Sequence, residues 1–155
     1  MPALRDAFDA HEDFARREDG VYDVTTATFE ARAIVGGRRV EVVCELPTID
    51  AAVADETVPE VVGRGWFETF ERRVEGVASA VATDDVDPVT LTLAGDTVVA
   101  ESTLGTDDPA DAADDALAVV NFVEGTWFQG VIPGYDYVPA VQSRREAALA
   151  RGGTE

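Results

Sequence analysis

Between Phe29 and Leu46 the chain alternates polar and apolar residues, breaks once at Gly36-Gly37, and then alternates again. A period of two puts successive side chains on opposite faces of a strand, so two such runs joined by a pair of glycines form a β-hairpin with one apolar face. A chain carrying this pattern cannot fold as a helical bundle. Its apolar face needs a covering layer. A two-residue turn here sets Val35 opposite Arg38, which pairs Phe29 with Cys44, Ala31 with Val42 and Ala33 with Val40 on the inner face, and Arg32 with Glu41 on the outer. The pattern recurs once. Val89–Ala94 and Thr97–Leu104 flank Gly95-Asp96, and a turn with glycine first pairs Leu93 with Val98, Leu91 with Ala100 and Val89 with Ser102.

The covering layer is written in helical spacing. From Pro2, the residues Leu4, Ala7, Phe8, His11 and Phe14 share one face of a helix that ends before Gly20. Trp66, Phe67, Phe70, Val74 and Val77 do the same for a helix over about Gly65 to Val74, with Glu68 and Arg72 paired on its outside. A third helix opens at Asp108, a cap residue, followed by a first-turn proline and by Asp111, Asp114 and Asp115 near the positive end of its dipole. Its apolar face of Ala113, Ala116, Leu117, Val120, Val123 and Trp127 keeps its period across Gly125, so the helix should continue to Gln129. Pro133-Gly134 then fits a type II turn, and Tyr135 and Tyr137 flank Asp136 in a short edge strand that Pro139 ends.

These elements predict an α+β domain in two layers, helix-hairpin-helix-hairpin-helix, with an antiparallel sheet of four to five strands. At 155 residues the chain is long enough for one core, taken as residues 1–139, with 140–155 as a short helical or frayed tail. Cys44 is the single cysteine and falls on the apolar face of a strand, so it reads as a small buried hydrophobe, with no internal disulfide. There is no charged leader and no apolar run near 18 residues, which predicts a soluble, cytoplasmic protein without a membrane partner.

Thirty-one acidic residues face 12 basic ones, all arginine, for a net charge of −19. Such a surface suits either a basic partner or molar salt, where screening shortens to about 3 Å and self-repulsion nearly vanishes. The acids are spread along the whole chain, which favours salt. Low salt should then loosen the fold, and net charge no longer excludes nucleic acid.

Residues able to carry chemistry are few. His11 is the only histidine, and no phosphate-cradling glycine loop, nucleophile elbow or metal-ligand spacing is present, so no cofactor or metal is expected. The acidic run Asp84-Asp85-Val86-Asp87 lacks the glycine and distal glutamate of a calcium loop. An enzyme would have to draw on Glu124 or Asp136 beside Tyr135 and Tyr137, where aromatic walls raise a carboxylate's pKa. The arginine doublets at 38–39, 72–73 and 144–145 are not interleaved with aromatics, so nucleic-acid binding is not favoured. The favoured reading is a non-catalytic protein-interaction or chaperone-like, regulatory adaptor module, with a homodimer as the candidate assembly. Trp127, Phe128, Gln129, Tyr135 and Tyr137 are its candidate binding residues, because aromatics near a turn make interface anchors.

The strings Gly65–Arg73 and Asn121–Tyr137, together with Leu46-Pro47-Thr48 and Asp55–Val58, resemble an uncharacterised family of small acidic haloarchaeal proteins, up to about Pro139. That resemblance implies a halophilic archaeal origin and one intact domain, and supplies no mechanism. The order of elements is similar to that of type III secretion chaperones, a likeness of fold alone.

Overall fold

The computed structural model describes residues 2–105 and 107–144; the rest of the expected tail lies outside the described residues. In chain order the elements are α1 (Pro2–Ala10), β1 (Phe14–Glu18), β2 (Val21–Val24), β3 (Glu30–Gly36), β4 (Arg39–Pro47), α2 (Ile49–Ala52) and α3 (Glu60–Val74). A 3-10 turn (Glu75–Ala80) leads on to β5 (Thr90–Ala94), β6 (Thr97–Gly105) and α4 (Pro109–Gln129). A final helical stretch covers 139–144. The fold is α+β. Its sheet is antiparallel throughout, with strand order β1-β2-β3-β4-β6-β5.

The sheet has six strands rather than the four to five expected. Of the two extra strands, β1 occupies the segment assigned to the end of the first helix, which stops at Ala10 instead of running towards Gly20, and β2 follows Gly20 in a stretch assigned to no element. Gly20 is not a helix stop but part of a hairpin turn, with φ 78° and its carbonyl accepting the N–H of Val35 on β3. Phe14 satisfied the helical spacing by another route: it lies beyond the helix, at the start of β1, and sets its ring edge-on to Phe8 at 4.8 Å, while Tyr22 stacks on Phe8 at 5.3 Å.

The β3–β4 hairpin is shifted by two residues from the expected register. The turn sits at Gly37-Arg38, so Ala31 faces Cys44, Ala33 faces Val42 and Val35 faces Val40. Gly37 takes φ 59°, which is why the second glycine rather than the first enters the turn. An even shift keeps every side chain on its face, and the inner set is buried as the alternation required. On the outer face Arg32 reaches Glu45 at 2.6 Å instead of standing opposite Glu41. In the β5–β6 hairpin Leu93 pairs with Val98 and Leu91 with Ala100, as expected, while Val89 lies before the strand begins.

Helix α4 runs 21 residues, roughly 32 Å. It lies against β4 and β6 and touches α1, α3 and the 3-10 turn. Asp108 caps it by accepting the N–H of Ala110 at 3.0 Å, and the helix passes through Gly125 to Gln129, as its period required. Two carboxylates on α4 are buried. Asp115 accepts the N–H groups of Ala82 and Thr83 at 2.8 and 3.1 Å, and Glu124 those of Thr28 and Phe29 at 3.0 and 2.8 Å. Nine residues turn a helix by about half a revolution beyond whole turns, so the two acids hold loops on opposite flanks of the helix. Among the described residues no helix is long and apolar enough to cross a membrane.

Candidate functional site

The aromatic residues singled out in the sequence serve mainly as core. Trp127 is 1 % exposed; its indole N–H donates to the carbonyl of Pro47 at 2.9 Å, and its ring lies edge-on to Phe29, Trp66 and Phe128. Tyr137 is buried, and its hydroxyl both accepts the N–H of Ile132 and donates to its carbonyl, each at 2.8 Å, closing the Pro133-Gly134 turn. The backbone around it is pinned to the end of α2: Ala54 donates to Asp136 and Val138 donates to Ala52. Phe128 is half-buried, stacked on Phe29, with the Arg144 guanidinium 5.9 Å above its centroid. Tyr135 is also half-buried and Gln129 is exposed. A ring sealed in the core presents nothing to a partner, so Trp127 and Tyr137 offer no contact surface. The core also extends past Pro139, because Val141 is fully buried.

The two carboxylates considered for acid–base chemistry are not brought to a shared cleft. Glu124 is buried and occupied by two backbone N–H groups, and the side chain of Asp136 is exposed. Burial, ahead of the opposing pull of those N–H groups and the Arg144 charge, pushes the Glu124 carboxyl above its usual range. The folded chain therefore binds this proton more readily than the unfolded chain, and the site adds stability as pH falls through the folded pKa, in full only below the ordinary glutamate value. Glu124→Gln keeps one acceptor for two donors and should cost about 1–3 kcal/mol at neutral pH. The stability lead of wild type over this variant should widen between pH 7 and pH 4 in urea titrations; a lead that narrows would contradict the direction of the shift. Burial, and then the Glu124 charge, pushes the Cys44 thiol up to about 12, so it stays protonated and unreactive. His11 accepts the Asp13 N–H at Nδ1 and meets Asp114 through Nε2 at 3.1 Å. The doublets at 38–39 and 72–73 lie apart, at the β3–β4 turn and on α3, with Arg39 engaged by Asp85 and Asp87 and Arg72 bonded to Thr69, while Arg145 of the third lies outside the described residues.

Two grooves flank α3. One groove of about 280 Å³ separates α3 from the end of α4, between Val62, Thr69 and Arg73 on one side and Gln129, Gly130 and Ile132 on the other. A second, of about 390 Å³ and mostly apolar, lies between α3 and the β5–β6 turn, walled by Ile49, Val58, Pro59, Phe67 and Leu93. Trp66 lines both. Gln129 is the member of the sequence-derived set that lines one of these grooves.

Two further features belong to this surface. Val61 and Leu93 are the large apolar side chains left exposed among the described residues, at 74 % and 55 %, and they belong to α3 and β5. Gly63 and Gly65 lie within α3, one in each groove wall, and a Cβ at either would meet nothing within 4 Å. Glycine inside a helix costs about 1 kcal/mol relative to alanine, and no close packing compensates for it here. Val61 and the two glycines escaped the sequence reading because helix α3 begins at Glu60, five residues before the predicted start, which brings Val61 and Gly63 into the helix and moves Gly65 from its first position to its interior.

A larger polar cavity of about 590 Å³ lies between Arg38, Arg39 and aspartates of the loops near 84 and 107. No group of His, Cys, Asp or Glu among the described residues is arranged to hold a metal ion.

No curated protein and no solved structure matches the chain. The family of unknown function DUF5813 matches residues 9–147, from the end of α1 to beyond the last described helical stretch, so the fold and the grooves around α3 lie almost entirely within it. The chain belongs to this family of unknown function.

Proposed function

We propose that the protein is a non-catalytic protein-interaction module, an adaptor or chaperone-like regulator, that docks its partner along β5 and the apolar groove beside α3. The observation that carries this reading is the free edge of β5, a strand with no charged residue in a chain of net charge −19, lying next to that groove. An open sheet edge offers backbone donors and acceptors for affinity, and an adjoining apolar groove selects alternate side chains. Gly63 and Gly65 keep the groove walls low. The acidic surface suits a halophilic archaeal cytoplasm, where salt suppresses the repulsion between such a module and acidic partners.

Capture from extracts of native cells in 2 M KCl tests this. Wild type should retain proteins that Leu93→Arg loses, and equal retention by the two would place docking elsewhere. Gly63→Ala and Gly65→Ala should each stabilise the fold by about 0.5–1 kcal/mol and weaken capture. Gly125→Ala, at an equally open helical position away from both grooves, should stabilise by the same amount and leave capture unchanged. If the three variants behave alike in capture, the glycines of α3 have no part in docking.

A further inference from the structure

We propose that the partner seated on β5 is a second copy of this chain, paired antiparallel through β5 about a two-fold axis at Thr92 into one continuous sheet; this rests on the reading of β5 as the docking edge. The two edges of the sheet are built differently. β1 carries Arg16, Arg17 and Glu18 and a register break between Arg16 and Glu18, devices that stop a strand from recruiting another. β5 has no charge, proline or register break along Thr90–Ala94.

The amide directions follow from the turn. A two-residue loop at Gly95-Asp96 makes Ala94 and Thr97 the closing hydrogen-bonded pair, and alternation makes Thr92–Val99 and Thr90–Glu101 hydrogen-bonded pairs as well. Leu91 and Leu93 therefore aim their N–H and C=O groups at the open edge. With Thr92 on the axis, Leu91 of each copy falls opposite Leu93 of the other. Those two pairs use all four outward donors and all four outward acceptors, and the strand is complementary to itself, as a two-fold interface requires. Both leucines stand on the helix-bearing face, beside Val98 and Ala100, so the second copy's Leu91 adds apolar cover next to Leu93 at the groove. No charge stands against a charge within the paired strands. At their ends, Asp96 of one copy comes beside Pro88 and Asp87 of the other, so pairing should tighten as salt rises.

Size exclusion with light scattering in 2 M KCl should give twice the 16.5 kDa chain mass for wild type, and the dissociation constant should rise at least tenfold in 0.2 M KCl. Thr92→Lys puts two ammonium groups on the axis at an exposed position and should give a folded monomer. Thr92 meets its own copy as a non-hydrogen-bonded pair with Cα atoms about 4.5 Å apart, within disulfide range. Thr92→Cys should therefore crosslink two chains when oxidised with copper phenanthroline, Thr90→Cys, opposite Ala94, should not, and buried Cys44 should stay reduced. A wild-type monomer at millimolar concentration, or a dimer in which the two cysteine variants crosslink equally or not at all, overturns the pairing. If wild type is monomeric and still retains proteins that Leu93→Arg loses, the docking edge stands with a different occupant. If both results are negative, both readings fall.

Discussion

Replacing Trp127 with alanine should lower the unfolding free energy by about 3–5 kcal/mol, the usual cost of removing a large buried ring. That is a large share of the roughly 5–15 kcal/mol that holds a domain of this size together. The loss is large because this ring links elements that are distant in sequence: Phe29 ahead of β3, Trp66 on α3, and the end of β4 through the hydrogen bond to Pro47. Trp127→Phe keeps much of the ring and removes that hydrogen bond, so its loss should be smaller. Urea melts in constant 2 M KCl measure both. A cost below about 1 kcal/mol for the alanine variant would mean that the ring cluster is not the keystone of the helical layer.

The thermal midpoint should rise on the order of 10 °C between 0.1 and 2 M KCl, a gain of several kcal/mol at the usual conversion for a chain of this length. Ion pairing cannot change this. Among the described residues, Arg5–Asp19, Arg16–Asp9, Arg17–Asp23, Arg32–Glu45, Arg39–Asp85 and Arg64–Glu60 are paired, and with 12 arginines in the sequence most of the 31 acids have no base to pair with. These acids repel one another over about 10 Å at 0.1 M salt and about 3 Å at 1 M. A midpoint that does not move across that range would remove the case for adaptation to brine, whatever becomes of β5.

The sequence was legible where one face of an element is buried along its whole length. The α4 period carried through Gly125 because Val120, Val123 and Trp127 all face the core on both sides of the glycine. The inner faces of β3, β4 and β6 were readable for the same reason. The β3–β4 turn was misplaced by one residue, and the register by two, because both registers bury the same set, and only the local backbone, with Gly37 in the left-handed region, distinguishes them. The β1–β2 hairpin was hidden because β1 has one inward residue, Phe14, followed by exposed charged positions, and Phe14 lies at helical spacing from His11. Two of the rings chosen as binding residues, Trp127 and Tyr137, are buried for a different reason. Composition near a turn does not say whether an aromatic closes a core or opens onto solvent, and Trp127 and Tyr137 have polar partners within the chain that make burial favourable. The exposed surface was written instead in what is missing: charge along β5 and side chains at Gly63 and Gly65.

The most direct test of β5 as the working edge is amide hydrogen exchange at Leu91 and Leu93 in 2 M KCl, followed as the protein is diluted. Both amides should be protected at high concentration and lose protection together on dilution, while Val42 and Val98 in the sheet interior stay protected throughout. Fast exchange at Leu91 and Leu93 at every concentration, in a protein that light scattering finds associated, would show that the edge stays open and that copies meet through some other face.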